Sequence, residues 1–339
     1  MRTEEIIMRK TFLILLAFVL LVAAVSCNRS KSTNSKKLTI AVIPKGTSHE
    51  FWKSIHAGSI KAQRELSTNG AEIEVIWKGP LKEDDREMQI QVVEGFASQG
   101  VNGIVLAPLD NRALARPVGR SEECRRADGD YRLSAGVEFL CQFCGHRQSQ
   151  RRHAGSGSSG RIVGRKGKVI MLRYAEGSAS TEEREAGFLE EMKQKYPNIE
   201  IISSDQHAGA TRDSAKSVAE NLLNRFGDDV QGIFCPNEST TAGMLSALQD
   251  NGKAGKVIFV GFDTSQMFID AMRAKQLHGI VVQNPFNMGY LGVRTMVESL
   301  QGKAVEKRID TGVTMITPEN LDAKDTQALL HPPLDQYLK

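Results

Sequence analysis

Seven residues of this chain fall just beyond short apolar runs or at the start of an amphipathic stretch. They are His49, Phe51 and Trp52 after LTIAVI, Arg184 at a helix-like start, Asn237 after GIFCP, Asp263 after VIFVGF and Gln283 after GIVV. Planar carboxylate, amide and guanidinium groups suit the hydroxyls of a polyhydroxylated solute, and aromatic faces suit its CH faces. That combination captures a sugar without breaking a bond in it. Taken singly, each residue has a plainer reading. Arg184, between Glu183 and Glu185, could be a solvated helix charge, Asn237 and Asp263 could cap helices, and Phe51 and Trp52 could belong to a core. Their shared placement makes them a candidate binding set.

Other chemistry lacks its required setting. Cys141 and Cys144 with His146 and His153 imitate a zinc site at unsuitable spacing, and Gly155, Gly157 and Gly160 satisfy GxGxxG without a preceding strand. Asp84 and Asp85 in KEDDREM read as a helix start rather than an acid/base pair. His207, in SSDQHAG, follows a strand-like run and has both a cleft and a surface reading. With no nucleophile and base, no phosphate loop and no metal cluster in context, the expectation is a non-enzyme without cofactor or metal.

The elements that would position the seven residues alternate along the chain. LTIAVI, Phe51 to Leu66, AEIEVIW, Asp85 to Gln99 and GIVLAPL give a βαβαβ pattern of parallel strands covered by helices. The pattern resumes with KVIMLRY, Thr181 to Lys195, IEIISSD, Thr211 to Phe226, GIFCPN, Thr240 to Gln249, VIFVGF, Gln266 to Lys275, GIVVQN and Tyr290 to Gln301. The expected fold class is α/β, with two doubly wound parallel-sheet lobes. Ligands of such sheets sit beyond the carboxyl ends of the strands.

The runs TIAVIPKGTSHEFWKSIHAG, GIVLAPLDN, EGSASTEEREAGF, GIFCPNE, VGFD and VVQNP, in this order, resemble the periplasmic ribose-binding-protein family of sugar-transporter receptors. The resemblance implies a type 1 periplasmic binding fold hinged between lobes, residues 38–145 plus 284–310 forming one lobe and 146–283 plus 311–339 the other. It also implies that Phe51 and Trp52 sandwich a sugar ring and that Arg184, Asn237, Asp263 and Gln283 hold its hydroxyls. His49 stands where the family often has asparagine. With Lys45 it departs from the ribose-specific pattern, leaving the sugar open but not the class. The implied partners are the sugar and the permease and ATPase of an ABC transporter, with the receptor a monomer. A sensory protein presenting its ligand to a chemoreceptor or histidine kinase is the alternative. A repressor effector domain would need a helix-turn-helix ahead of the first lobe, where this chain has a signal-like segment.

That segment opens the chain. Basic residues precede the apolar run Thr11 to Val25, which reads as a signal peptide over residues 1–26. AVSC resembles a lipobox, making Cys27 the expected lipid attachment site, followed by a polar tether over 27–37. The protein is therefore expected in the periplasm or on the outer cell surface, anchored to the membrane.

Between Val118 and Lys166 the alternation stops. Gly119 to Arg165 carries nine arginines against five acids, a net +4 equal to that of the whole chain. A nucleic-acid arm does not fit, since aromatic interleaving is missing and an exported chain rarely meets nucleic acid. Nearly fifty residues without periodicity do not belong in a compact lobe. Moving the reading frame by one nucleotide over QFCGHRQSQRRHAG permits SFVATDNRNGGML. The same shift permits KNAGVPTVIID over EECRRADGDYRL and AAARLGELLGG over GSGSSGRIVGR. These are a helix end with a buried strand, a crossover and a further helix. Residues 119–165 are thus expected to be a frameshifted, non-native segment that replaces a strand, two helices and a strand-end acid with a polar loop.

Overall fold

The computed structural model describes residues 37–67, 72–118, 130–132, 138–140 and 166–338. From Lys37 onward the chain forms one compact unit built on two sheets. The expected signal segment, Cys27 and most of the tether lie outside the described residues, as does most of 119–165.

The first sheet has the order β2-β1-β3-β5-β4, with β1 Leu38–Ile43, β2 Ile73–Trp77, β3 Gly103–Leu106, β4 Asp130–Arg132 and β5 Glu138–Leu140. Helices α1 (Glu50–Ser67), α2 (Arg86–Gln99) and α3 (Asn111–Val118) follow its first three strands. The second sheet has the order β11-β10-β9-β8-β6-β7. Its strands are β6 Gly167–Met171, β7 Ile199–Ser203, β8 Gly232–Phe234, β9 Ile258–Phe262, β10 Gly279–Gln283 and β11 Val313–Ile316. Between them run α4 (Ala179–Lys195), α5 (Arg212–Phe226), α6 (Glu238–Asp250), α7 (Gln266–Arg273) and α8 (Pro285–Leu300), and the chain ends with α9 (Lys324–Leu330) and α10 (Leu334–Tyr337).

Strand periodicity explains why β1 reads as an unbroken apolar run. Ile40 and Val42 pack on one face with Ala62 of α1 and Val293, Met296 and Val297 of α8. Ala41 and Ile43 pack on the other with Val92, Val93 and Phe96 of α2 and Leu114 of α3. A strand covered on both faces has no position for a polar side chain. The second sheet is clad the same way: Ile170, Ile233, Phe259 and Ile280 point toward α5, α6 and α7, while Val169, Met171, Val260 and Val281 share a core with Phe188 and Met192 of α4.

Helix α8 returns the chain from the second sheet to the first, and its contact with α1 is closer than side chains allow. A Cβ on Gly58 would lie 1.9 Å from the Phe286 carbonyl oxygen, and one on Gly289 would lie 2.0 Å from that of Ile55. Only glycine permits this approach, which sets α1 directly against α8.

Three details differ from the sequence pattern. Helix α8 begins at Pro285 rather than Tyr290, because Asn284 accepts from Asn287 N at 3.0 Å and proline suits the first helical turn. β11 pairs antiparallel to β10, so the second sheet is not wholly parallel. Within 119–165, where a polar loop is expected, β5 pairs parallel to β3 and β4 antiparallel to β5. The edge of β3 leaves backbone groups that must be bonded, and the apolar run around Phe139 is the part of that segment able to extend along it. The C-terminal segment, expected with the second lobe, touches elements of both. Leu330 joins the second sheet's core, but Arg64 Nη1 of α1 donates to the Gln336 carbonyl at 2.8 Å and the Tyr337 ring lies 5.6 Å from that of Phe286.

Candidate functional site

The carboxyl ends of β1, β3, β6, β8, β9 and β10 converge on one cleft between the two sheets' lobes. All seven residues singled out in the sequence line it: His49, Phe51, Trp52, Arg184, Asn237, Asp263 and Gln283. The parallel arrangement accounts for this, since successive strands deliver their following residues to the same end.

The second lobe contributes an interlocked polar group. Gln283 Nε2 donates to Asp263 Oδ1 at 2.7 Å, and both residues are buried. Asp263 has φ +65°, a left-handed backbone that aspartate tolerates better than most side chains. It does not cap the following helix, whose N-cap is Ser265. Asn237 takes both of its readings. It caps α6 through a reciprocal pair with Thr240, Thr240 N donating to Asn237 Oδ1 at 3.3 Å and Asn237 N to Thr240 Oγ1 at 3.4 Å, and it lines the cleft.

Arg184 is not a solvated helix charge. It is 6% exposed, its guanidinium lies 4.0 Å over the Phe262 ring, and Nη1 donates to the Pro236 carbonyl at 2.9 Å. Its Nε is buried without a hydrogen-bond partner among the described residues. An unmet buried donor of this kind is costly. Burial lowers the Arg184 pKa, with the Asp263 charge opposing, and burial raises that of Asp263, with the Arg184 charge opposing.

The first lobe brings the aromatic surface. Phe51 and Trp52 meet edge to face with centroids 5.0 Å apart, Trp52 at 5% exposure and Phe51 half-buried. Trp52 Nε1 donates to Glu83 Oε1 at 2.6 Å, and Tyr174 Oη at the end of β6 donates to Glu83 Oε2 at 2.5 Å. His49 Nδ1 lies 3.5 Å from Glu83 and 3.4 Å from Glu238, which also pairs with Arg212. Burial raises the Glu238 pKa against the pull of Arg212 and His49. Lys45 Nζ donates to Ser178 Oγ at 2.7 Å and Ser180 Oγ at 3.3 Å, reaching from the first lobe to the start of α4.

Glu83, Tyr174 and Glu238 also line the cleft and are absent from the sequence-derived set. Tyr174 follows the apolar core of KVIMLRY, so the strand-end rule reaches it. Glu83 sits in a charged run that reads as a helix start, and Asp85 two residues on does cap α2, accepting from Met88 N at 2.9 Å. His207 does not line the cleft; its Nδ1 bonds the Tyr174 carbonyl at 2.8 Å. Among the described residues no helix is long and apolar enough to cross a membrane.

A family model described as a periplasmic binding protein domain matches residues 139–304. The chain is 28% identical over 267 residues to the D-allose-binding periplasmic protein of Escherichia coli K12, covering 76% of this chain and 83% of that one. Two solved structures superpose over most of the chain. A carbohydrate transporter solute-binding protein from Agrobacterium radiobacter in complex with D-arabinose is 26% identical with a TM-score of 0.75, covering 87% of this chain and 99% of that one. An ABC transporter solute-binding protein from Agrobacterium vitis with bound D-fucose is 28% identical with a TM-score of 0.74, covering 86% of this chain and 100% of that one.

Proposed function

We propose that this chain, which belongs to the periplasmic binding proteins, captures a monosaccharide in the interlobe cleft and hands it unaltered to an ABC-type permease. The observation that carries the reading is the convergence of Arg184, Asn237, Asp263 and Gln283 on the cleft that Phe51 and Trp52 also line. Amide, carboxylate and guanidinium groups there can bond several hydroxyls while an aromatic ring covers a sugar face. The three relatives bind different sugars, so the class is better supported than the sugar. Import is favoured over sensing because two of these relatives are themselves transporter components.

In this reading the cleft closes about the solute, and the closed form presents its lobe surfaces to the permease. Export through residues 1–26, lipid attachment at Cys27 and action as a monomer complete the proposal. Residues 119–165 are proposed to be a frameshifted stretch. Resequencing the encoding nucleotides tests this, and codons that forbid the shifted residues would remove the idea.

A thermal-shift screen of monosaccharides and polyols, run on the chain as written and on a version with the shifted-frame segment, tests the solute class. At least one sugar should raise the midpoint, more strongly in the second version. No shift from any sugar or polyol in either version would end the assignment.

A further inference from the structure

Glu83 belongs to the loop between β2 and α2 of the first lobe, and Tyr174 to the end of β6 in the second. The 2.5 Å bond from Tyr174 Oη to Glu83 Oε2 therefore spans the cleft, while Glu83 Oε1 accepts from Trp52 Nε1 at 2.6 Å. Tyr174 is 1% exposed and the Glu83 side chain 9%, so water competes little for either bond. We propose that Glu83 is a positioning residue for solute capture: its carboxylate ties the Trp52 platform to Tyr174, so the indole is locked for stacking only when the lobes have closed. This rests on the solute-receptor reading and adds a residue to it.

The chemistry suits a clamp. A hydroxyl donating to a carboxylate makes a short bond, stronger than one between neutral groups. Burial first, then the Glu83 charge, raises the Tyr174 pKa well above the phenol range, so the donor keeps its proton at any ordinary pH. Breaking the bond leaves other links across the cleft, Lys45 Nζ to Ser178 Oγ at 2.7 Å and Asn111 N to the Gly177 carbonyl at 3.2 Å. Its loss should loosen the closed state without abolishing it.

The test uses the full chain as wild type, Tyr174→Phe, Glu83→Gln and the double variant, with D-allose, D-arabinose and D-fucose as probes. Stopped-flow tryptophan fluorescence reads association and dissociation, and small-angle scattering reads the radius of gyration of the ligand-free protein. Each single variant should release the bound probe about tenfold faster with little change in association. The double variant should be no faster than the worse single one, since both remove one coupled bond. The Tyr174→Phe protein should keep its ligand-free thermal midpoint and show a larger radius. Unchanged dissociation in both single variants, or a double effect equal to the product of the two, would overturn the clamp. If no probe binds the wild type, the thermal screen on both versions decides the sugar reading and the radius decides the clamp: a larger value in Tyr174→Phe supports it and an equal value overturns it.

Discussion

Gln283 donates to Asp263 across neighbouring strand ends at 2.7 Å, so two cleft residues separated by twenty positions hold each other in place before any solute arrives. The amide fixes one carboxylate oxygen, and a backbone hydrogen bond from Glu238 also reaches this carboxylate. Preorganised acceptors of this kind lose little on binding.

Replacing Asp263 should therefore weaken capture far more than it disturbs the fold. Asparagine tolerates the left-handed φ of +65° but removes the charge. Asp263→Asn should lower affinity by about 10- to 100-fold, the worth of hydrogen bonds to a charged group, with the ligand-free thermal midpoint retained. Titration calorimetry beside a melting curve checks both halves.

Binding should also fail in mild acid. Burial holds the Asp263 and Glu238 pKa values above the ordinary carboxylate range, so both take up protons at a higher pH than exposed acids. In the ligand-free protein, carboxylates raised above their unfolded values cost stability while charged. That cost fades as pH falls through the folded pKa, whereas solute hydroxyls lose their charged acceptor in the same window. Affinity measured from pH 7 toward pH 4 should fall before ordinary aspartates titrate, and flat affinity would contradict the assigned role.

The strand ends were legible because a parallel sheet turns sequence position into spatial position: where GIVV or VIFVGF stops, the next residue faces the cleft. Burial of Arg184 was not legible, since neighbouring Glu183 and Glu185 mimic a surface charge and only the Phe262 ring beneath it reveals the site. Glu83 was hidden for the opposite reason. It looks like one charge among several, and its meaning depends on Tyr174, 91 residues away. The start of α8 was missed because Asn284 and Pro285 signal a turn as well as a helix entry.

The two aromatic residues should separate by experiment. Phe51 is half-buried, whereas Trp52 packs with Ile55 and Ala107 in a small core. Phe51→Ala should cost about tenfold in affinity, the scale of one aromatic contact with its buried area, with little loss of stability. Trp52→Ala should lower both, by about 3 kcal/mol or more in unfolding free energy. Denaturant unfolding and calorimetry on the two variants distinguish them.

The α1 and α8 contact supplies a prediction independent of ligand. Gly58→Ala would place a methyl carbon 1.9 Å from the Phe286 carbonyl oxygen, which lies on backbone and cannot swing away. The helices must part, at a cost of about 3 kcal/mol, the upper end for overpacking. A Gly95→Ala control, where nothing lies within 4 Å, should leave the unfolding midpoint unchanged or raised.

Equilibrium dialysis with a radiolabelled sugar chosen from the thermal screen, followed by denaturation and chromatography of the released label, tests capture without chemistry most directly. The account predicts saturable binding of one sugar per chain and recovery of the label as the same sugar. Absence of saturable binding for every sugar in the panel, or recovery of a chemically altered product, would contradict it.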